Sequence, residues 1–109
     1  MSRHRLEVLE RLADTIEERS KAAPDSSYTA RLLSQGMEKC AKKVGEEAVE
    51  TALAAMTADR DHLISETADL AYHLLVLLQA SGIPLSEVMA ELEARMERGK
   101  VSDKAGRRF

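Results

Sequence analysis

Leu6, Leu9, Leu12, Ala13 and Ile16 recur every three or four residues with charged residues between them, which predicts an amphipathic helix over roughly Arg5 to Lys21. Pro24 and the polar stretch AAPDSSYT end it. Tyr28 to Ser34 adds a short turn of helix before Gly36, whose freedom at positive φ makes it a natural stop. A second long helix is expected from Met37 to about Thr57, with Cys40, Ala41, Val44, Ala48, Ala52, Ala55 and Met56 forming a face of mostly small side chains. Asp59 is placed to cap a third, from about Arg60 to Ala80, which Ser81-Gly82 and Pro84 break. A last helix follows over about Leu85 to Arg98. No segment alternates as a strand would, and no internal repeat is present, so the fold class is all-α, a helical bundle of four to five helices.

Composition adds a requirement to that picture. A single domain of 109 residues buries only roughly 60–70% of the surface its unfolded chain exposes. The segment LAYHLLVLL is apolar nearly all round and needs cover on every side. Four helices from one short chain supply that cover poorly, so the bundle is expected to be completed by homodimerisation through this segment. With no tryptophan and three aromatic residues in all, the core must be aliphatic. A net charge of −3 gives no pull toward nucleic acid or an anionic membrane. The longest apolar stretch, Leu70 to Ala80, falls far short of the ~20 residues that span a bilayer. Cys40 is the single cysteine and no CxxC spacing occurs, which points to a reducing cytoplasm and away from a zinc site. Glu7 and Glu10 interrupt what a secretory signal would need as an uncharged stretch. The helical domain is drawn over residues 1–98, and GKVSDKAGRRF, residues 99–109, reads as a flexible basic tail.

Five carboxylates carry the chemistry: Glu46, Glu47 and Glu50 in KKVGEEAVETALAA, then Glu66 and Asp69 in LISETADLAYHLLVLL. Residues three or four apart share a helix face, so like charges crowd within each cluster and require a positive partner. A carboxylate cluster with few histidines suits a hard, oxygen-seeking cation such as Mg2+. His73 lies four after Asp69 and His62 four before Glu66, but a histidine on an apolar helix is more often a hydrogen-bonded core residue. Lys42 and Lys43 stand four before Glu46 and Glu47, the weaker orientation for a helix ion pair. With Lys39 they also occupy early turns, where the helix dipole prefers anions. Local stability does not account for these lysines; a site holding a metal ion together with the phosphates it bridges does. No GxxxxGK[ST] is present, which excludes a P-loop ATPase, and the chemistry indicated is phosphoanhydride hydrolysis. Gly45, the glycine within this region, either lets a helix or a substrate approach closely or simply weakens the helix.

The arrangement Glu46-Glu47-x-x-Glu50 followed by Glu66-x-x-Asp69 resembles the signature of the all-α nucleoside triphosphate pyrophosphohydrolase superfamily, which includes the MazG-type enzymes. The strings SYTARLL, KKVGEEAVE and ETADLAYHLLVLL are similar to the phosphoribosyl-ATP pyrophosphatase family of histidine biosynthesis, a resemblance running from about Leu6 to Glu93. It implies Mg2+-dependent hydrolysis of 1-(5-phosphoribosyl)-ATP to 1-(5-phosphoribosyl)-AMP and pyrophosphate, the second step of that pathway, by a cytoplasmic homodimer. Carried over by motif position, Glu46 or Glu47 with Glu50, Glu66 and Asp69 become the metal ligands, and Glu47 and Glu50 the foremost catalytic candidates, while the pattern does not fix which glutamate orients the attacking water. Lys39, Lys42, Lys43 and Arg31 become phosphate contacts, and Ser27, Tyr28 and Thr29 part of the nucleotide pocket. For Tyr28 a loop aromatic capping the core is an equal reading. The basic residues Lys100, Lys104, Arg107 and Arg108 fit the family pattern less well. A house-cleaning pyrophosphohydrolase and a non-catalytic dimerisation module are the competing readings.

Overall fold

The computed structural model describes residues 3–99 and Phe109, with side chains described from Glu7 to Arg98. Five helices follow one another among the described residues: α1 (Arg3–Arg19), α2 (Tyr28–Ser34), α3 (Met37–Met56), α4 (Arg60–Ala80) and α5 (Leu85–Gly99). All fall within two residues of the boundaries expected from the pattern. The tail drawn over 99–109 lies outside the described residues, apart from Gly99 at the end of α5 and Phe109.

The helix ends show why the boundaries were legible. Ser27 caps α2 by accepting a hydrogen bond from Ala30 N, and Asp59 caps α4 by accepting one from His62 N. Gly36, at φ +94, reverses the chain between α2 and α3, and Gly82, at φ +70, does so after α4. Ala58 holds the matching left-handed position between α3 and α4 at φ +62, where an L side chain is strained.

An α3–α4 hairpin forms the frame, and α1 and α2 pack on it. The core gathers Ile16 from α1, Leu32 from α2, Cys40 from α3, and Leu75 and Val76 from α4, with Leu12, Leu33 and Leu85 against it. Burial of these aliphatic side chains supplies the main driving force, each worth about 1.5–3 kcal/mol of transfer free energy. The chain turns through 112° between α4 and α5, and Leu85 ties α5 to the core. No single described helix is long and apolar enough to cross a membrane.

One feature of α3 differs from expectation. Of the small-residue face, Cys40 is buried and Val44 half-buried, whereas Ala41, Ala48, Ala52, Ala55 and Met56 are exposed. The stripe that turns inward is Cys40, Val44, Glu47, Thr51 and Ala54. Its spacing of four, three, four and three residues is that of a helix–helix seam. Two polar residues therefore occupy seam positions.

Candidate metal centre

Glu47 faces the core because it stands on the seam, flanked along its helix by Val44 and Thr51. Across the hairpin, α4 presents Glu66, Asp69, His73 and Val76 at similar intervals. Thr51 locks the register: its hydroxyl donates to Glu47 O at 2.7 Å and lies 3.1 Å from Glu66 O on the facing helix. One carboxylate oxygen from each of Glu47, Glu66 and Asp69 then lies within 4.8 Å of the others. Three hard oxygen donors from two helices converge at a single point.

The two oxygens of each buried carboxylate have different surroundings. Glu47 Oε1 is 3.9 Å from Lys43 Nζ and 3.9 Å from His73 Nε2. Glu66 Oε1 is 3.5 Å from His62 Nε2. The Oε2 atoms of both glutamates are buried and have no hydrogen-bond partner among the described residues. Unpartnered buried carboxylate oxygens are costly, and a cation bound by these residues would satisfy them.

Burial pushes the Glu47 carboxyl above the ordinary carboxylate value, and a hydrogen bond with Glu50 and the charges of Glu50, Asp69 and Glu66 push the same way. Burial lowers His73, and Lys43 adds to that effect against the opposing charges of Asp69 and Glu46. The His73–Glu47 contact is therefore one between a neutral imidazole and a carboxyl group. Divalent charge at the three oxygens would relieve the crowding directly.

The five expected carboxylates are not equivalent. Glu47, Glu66 and Asp69 form the convergent group. Glu50 is exposed, lies against Glu47, and lines an open depression of about 320 Å³ with Leu53, Ala54, Thr57, His62 and Glu66. Glu46 is exposed on the flank and stands outside the convergent group. Lys39 and Lys43 are half-buried, and Lys42 is exposed. Arg31 lies over the exposed ring of Tyr28, 5.7 Å from its centroid. Thr29 is half-buried, with its hydroxyl hydrogen-bonded to that of Tyr72.

Two participants escaped the sequence reading. Tyr72 stacks on Tyr28 with centroids 6.3 Å apart and abuts His73 edge-to-face at 4.9 Å, so it joins the α2 residues to the acidic cluster. Thr51 is the other. Its position four after Glu47 was the available signal, and for Tyr72 it was the position three after Asp69.

The chain is similar to known proteins over most of its length. The family model described as phosphoribosyl-ATP pyrophosphohydrolase matches residues 9–96. A protein of Cereibacter sphaeroides named phosphoribosyl-ATP pyrophosphatase is 57% identical over 102 residues, covering 94% of this chain and 99% of its own. A Rhizobium rhizogenes protein of the same name is 52% identical over 107 residues, covering 98% of this chain and all of its own. A third of that name, from Methylobacterium nodulans, is 55% identical over 93 residues, covering 85% and 87%.

Proposed function

The chain belongs to the phosphoribosyl-ATP pyrophosphohydrolase family, and from that premise we propose that it hydrolyses 1-(5-phosphoribosyl)-ATP to 1-(5-phosphoribosyl)-AMP and pyrophosphate. This is the second step of L-histidine biosynthesis, and we place it in the cytoplasm with Mg2+ as cofactor. The observation that carries the metal assignment is the pair of buried, unpartnered Oε2 atoms of Glu47 and Glu66 beside Asp69. Oxygen-only donors fit Mg2+ better than a transition metal. Bound there, Mg2+ would polarise phosphoryl oxygens and offset their charge.

The protein's own groups divide the remaining work. Glu47, Glu66 and Asp69 would hold the cation, with Glu50 beside Glu47 and Glu46 exposed on the same helix. Glu50 is exposed at the depression beside the cluster, where a carboxylate can orient the attacking water and take its proton. Water oxygen forms the new bond to the α-phosphorus, and the bond to the bridging oxygen breaks with pyrophosphate as leaving group. Lys39, Lys42, Lys43 and Arg31 neutralise phosphate charge, with Tyr28 and Thr29 at the nucleotide end. The exposed Tyr28 ring under Arg31 offers a stacking face.

The protein acts as a homodimer in this reading, but not through LAYHLLVLL as expected, since residues 70–78 are buried or half-buried within the chain apart from Leu74. Val49, Leu53 and Met56 form a stripe on the outer side of α3 and are 59%, 61% and 84% exposed, too apolar a strip to leave in water. Leu53 lines the same depression as Glu50, so a second copy seated on the stripe would wall the site. Leu53→Lys is expected to shift the protein to monomer in sedimentation velocity, and an unchanged sedimentation coefficient would remove this part of the proposal.

Pyrophosphate release from phosphoribosyl-ATP, ATP and dUTP with Mg2+ tests the activity. Selective turnover of the first, abolished in Glu50→Ala, is the expected result. Equal turnover of ordinary nucleotides would assign a house-cleaning role, and no release from any of them would overturn the proposal.

A further inference from the structure

His73 is the one buried polar residue among the described side chains, at 5% exposed, and the phosphoryl chemistry above does not use it. Two mutually stacked tyrosine rings pack against it: Tyr72 meets it edge-to-face at 4.9 Å, and Tyr28 does so at 6.3 Å with an interplanar angle of 83°. Tyr72 is itself anchored by the hydroxyl of Thr29. Packed in this way, its Nε2 lies 3.9 Å from Glu47 Oε1, and its Nδ1 is buried with no hydrogen-bond partner among the described residues. With a carboxylate on the Nε2 side and nothing on the other, the imidazole proton belongs on Nε2. Glu47 Oε1 thus lies between the Nε2–H and Lys43 Nζ, while its second oxygen faces inward, unpartnered.

We infer that His73 is a positioning residue for Glu47: its Nε2–H and the Lys43 ammonium hold Oε1 on the outer side, so that Oε2 is presented to the cation rather than rotated away. The inference rests on the metal site proposed above. The separation of 3.9 Å exceeds a hydrogen bond, and a small rotation of the Glu47 side chain would close it. An imidazole serves better here than an apolar ring of similar size, because only a donor distinguishes the two oxygens of Glu47. Tyr28 and Tyr72 become part of the same device: a substrate that moves the Tyr28 ring acts on Glu47 through the imidazole.

The test compares His73→Phe, which keeps a ring for the tyrosines but removes the donor, with His73→Gln, whose amide nitrogen stands close to the lost Nε2. Affinity for MgCl2 alone is read from the rise in Tm with ion concentration, and kcat and KM for phosphoribosyl-ATP from pyrophosphate release. Expected for His73→Phe is a Tm in EDTA within a few degrees of wild type, with Mg2+ affinity weakened roughly 10- to 100-fold. Its kcat falls by a similar factor at limiting Mg2+, while KM is little changed. His73→Gln recovers affinity to within a few-fold of wild type. Wild-type Mg2+ affinity in His73→Phe overturns the inference alone, and so does a His73→Gln protein that folds but binds Mg2+ as weakly as the phenylalanine variant. If His73→Phe fails to fold, the His73→Gln affinity decides by itself, a tenfold loss counting against. No Mg2+ response in wild type would overturn both this inference and the metal site it rests on.

Discussion

Replacing Glu47 by Gln is expected to stabilise the metal-free protein and destabilise the Mg2+-loaded one, an inversion of sign that an ordinary structural glutamate would not produce. The reason lies in the distances. Glu47, Glu66 and Asp69 each place an oxygen within 4.8 Å of the others. At that separation two like charges repel by about 1 kcal/mol in a water-like medium and about 3.5 kcal/mol at the effective dielectric of a partly buried pair. Neutralising Glu47 removes two such contacts and gives up one attraction, to Lys43 Nζ at 3.9 Å. The net gain in the metal-free state is then roughly 1–3 kcal/mol. It is capped at about 4 kcal/mol at pH 7.5, because protonating a carboxyl of ordinary value would relieve the same strain. At about 4 °C or more per kcal/mol for a domain of this size, Tm in EDTA should rise by at least about 4 °C. Saturating Mg2+ at about 1,000 times its Kd stabilises wild type by about 4.1 kcal/mol, more than the metal-free gain of the variant, which lacks one anionic ligand and itself gains much less from the ion. Thermal melts of both proteins at equal chain concentration, in EDTA and in Mg2+, provide the assay. A Glu47→Gln protein that melts below wild type in EDTA, or whose Mg2+ shift equals that of wild type, would refute the reasoning.

The remaining expectations concern pH and backbone. Glu47 sits above its ordinary value in the folded state, so the native protein keeps a proton that the unfolded chain has lost, and without metal its contribution to stability falls as pH rises from about 4.5 through the raised value. His73 sits below its ordinary value of 6.5, so its contribution is lost as pH falls below that value. Denaturant titrations from pH 4.5 to 8 should therefore show the wild-type minus Glu47→Gln difference growing toward alkaline pH, and a flat difference would contradict the assignment. Ala58→Gly should raise Tm modestly, since relief of the strain at φ +62, about 1 kcal/mol or more, outweighs the added freedom of glycine in the unfolded chain; a fall in Tm would show that the turn is unstrained. Gly45 is exposed in mid-helix, and a Cβ there meets nothing within 4 Å. Gly45→Ala should therefore stabilise by about 0.5–1 kcal/mol. If the same variant loses turnover with Mg2+ affinity intact, Gly45 is where substrate approaches the helix.

Much of this protein was determined by neighbours in sequence. Pro24, Gly36, Asp59 and Gly82 end or begin helices through their own φ preferences and capping oxygens, so the boundaries required no tertiary information. The crowding of Glu47 with Glu50 was equally local, because three residues on a helix fix a shared face. What sequence spacing left undecided was which face of α3 turns inward. Small residues lie on more than one side of that helix, and the choice was made by its seam with α4, where Cys40, Val44, Thr51 and Ala54 fit and carry Glu47 inward with them. That rotation turns Glu47 inward while Glu46 and Glu50 stay exposed, brings it to Glu66 and Asp69 across the hairpin, and sets His73 and Tyr72 beside it. A helix fixes the angle between its own residues, about 100° for each step, but not its rotation against a neighbour. Only packing between helices sets that angle, and with it which carboxylates converge across the hairpin.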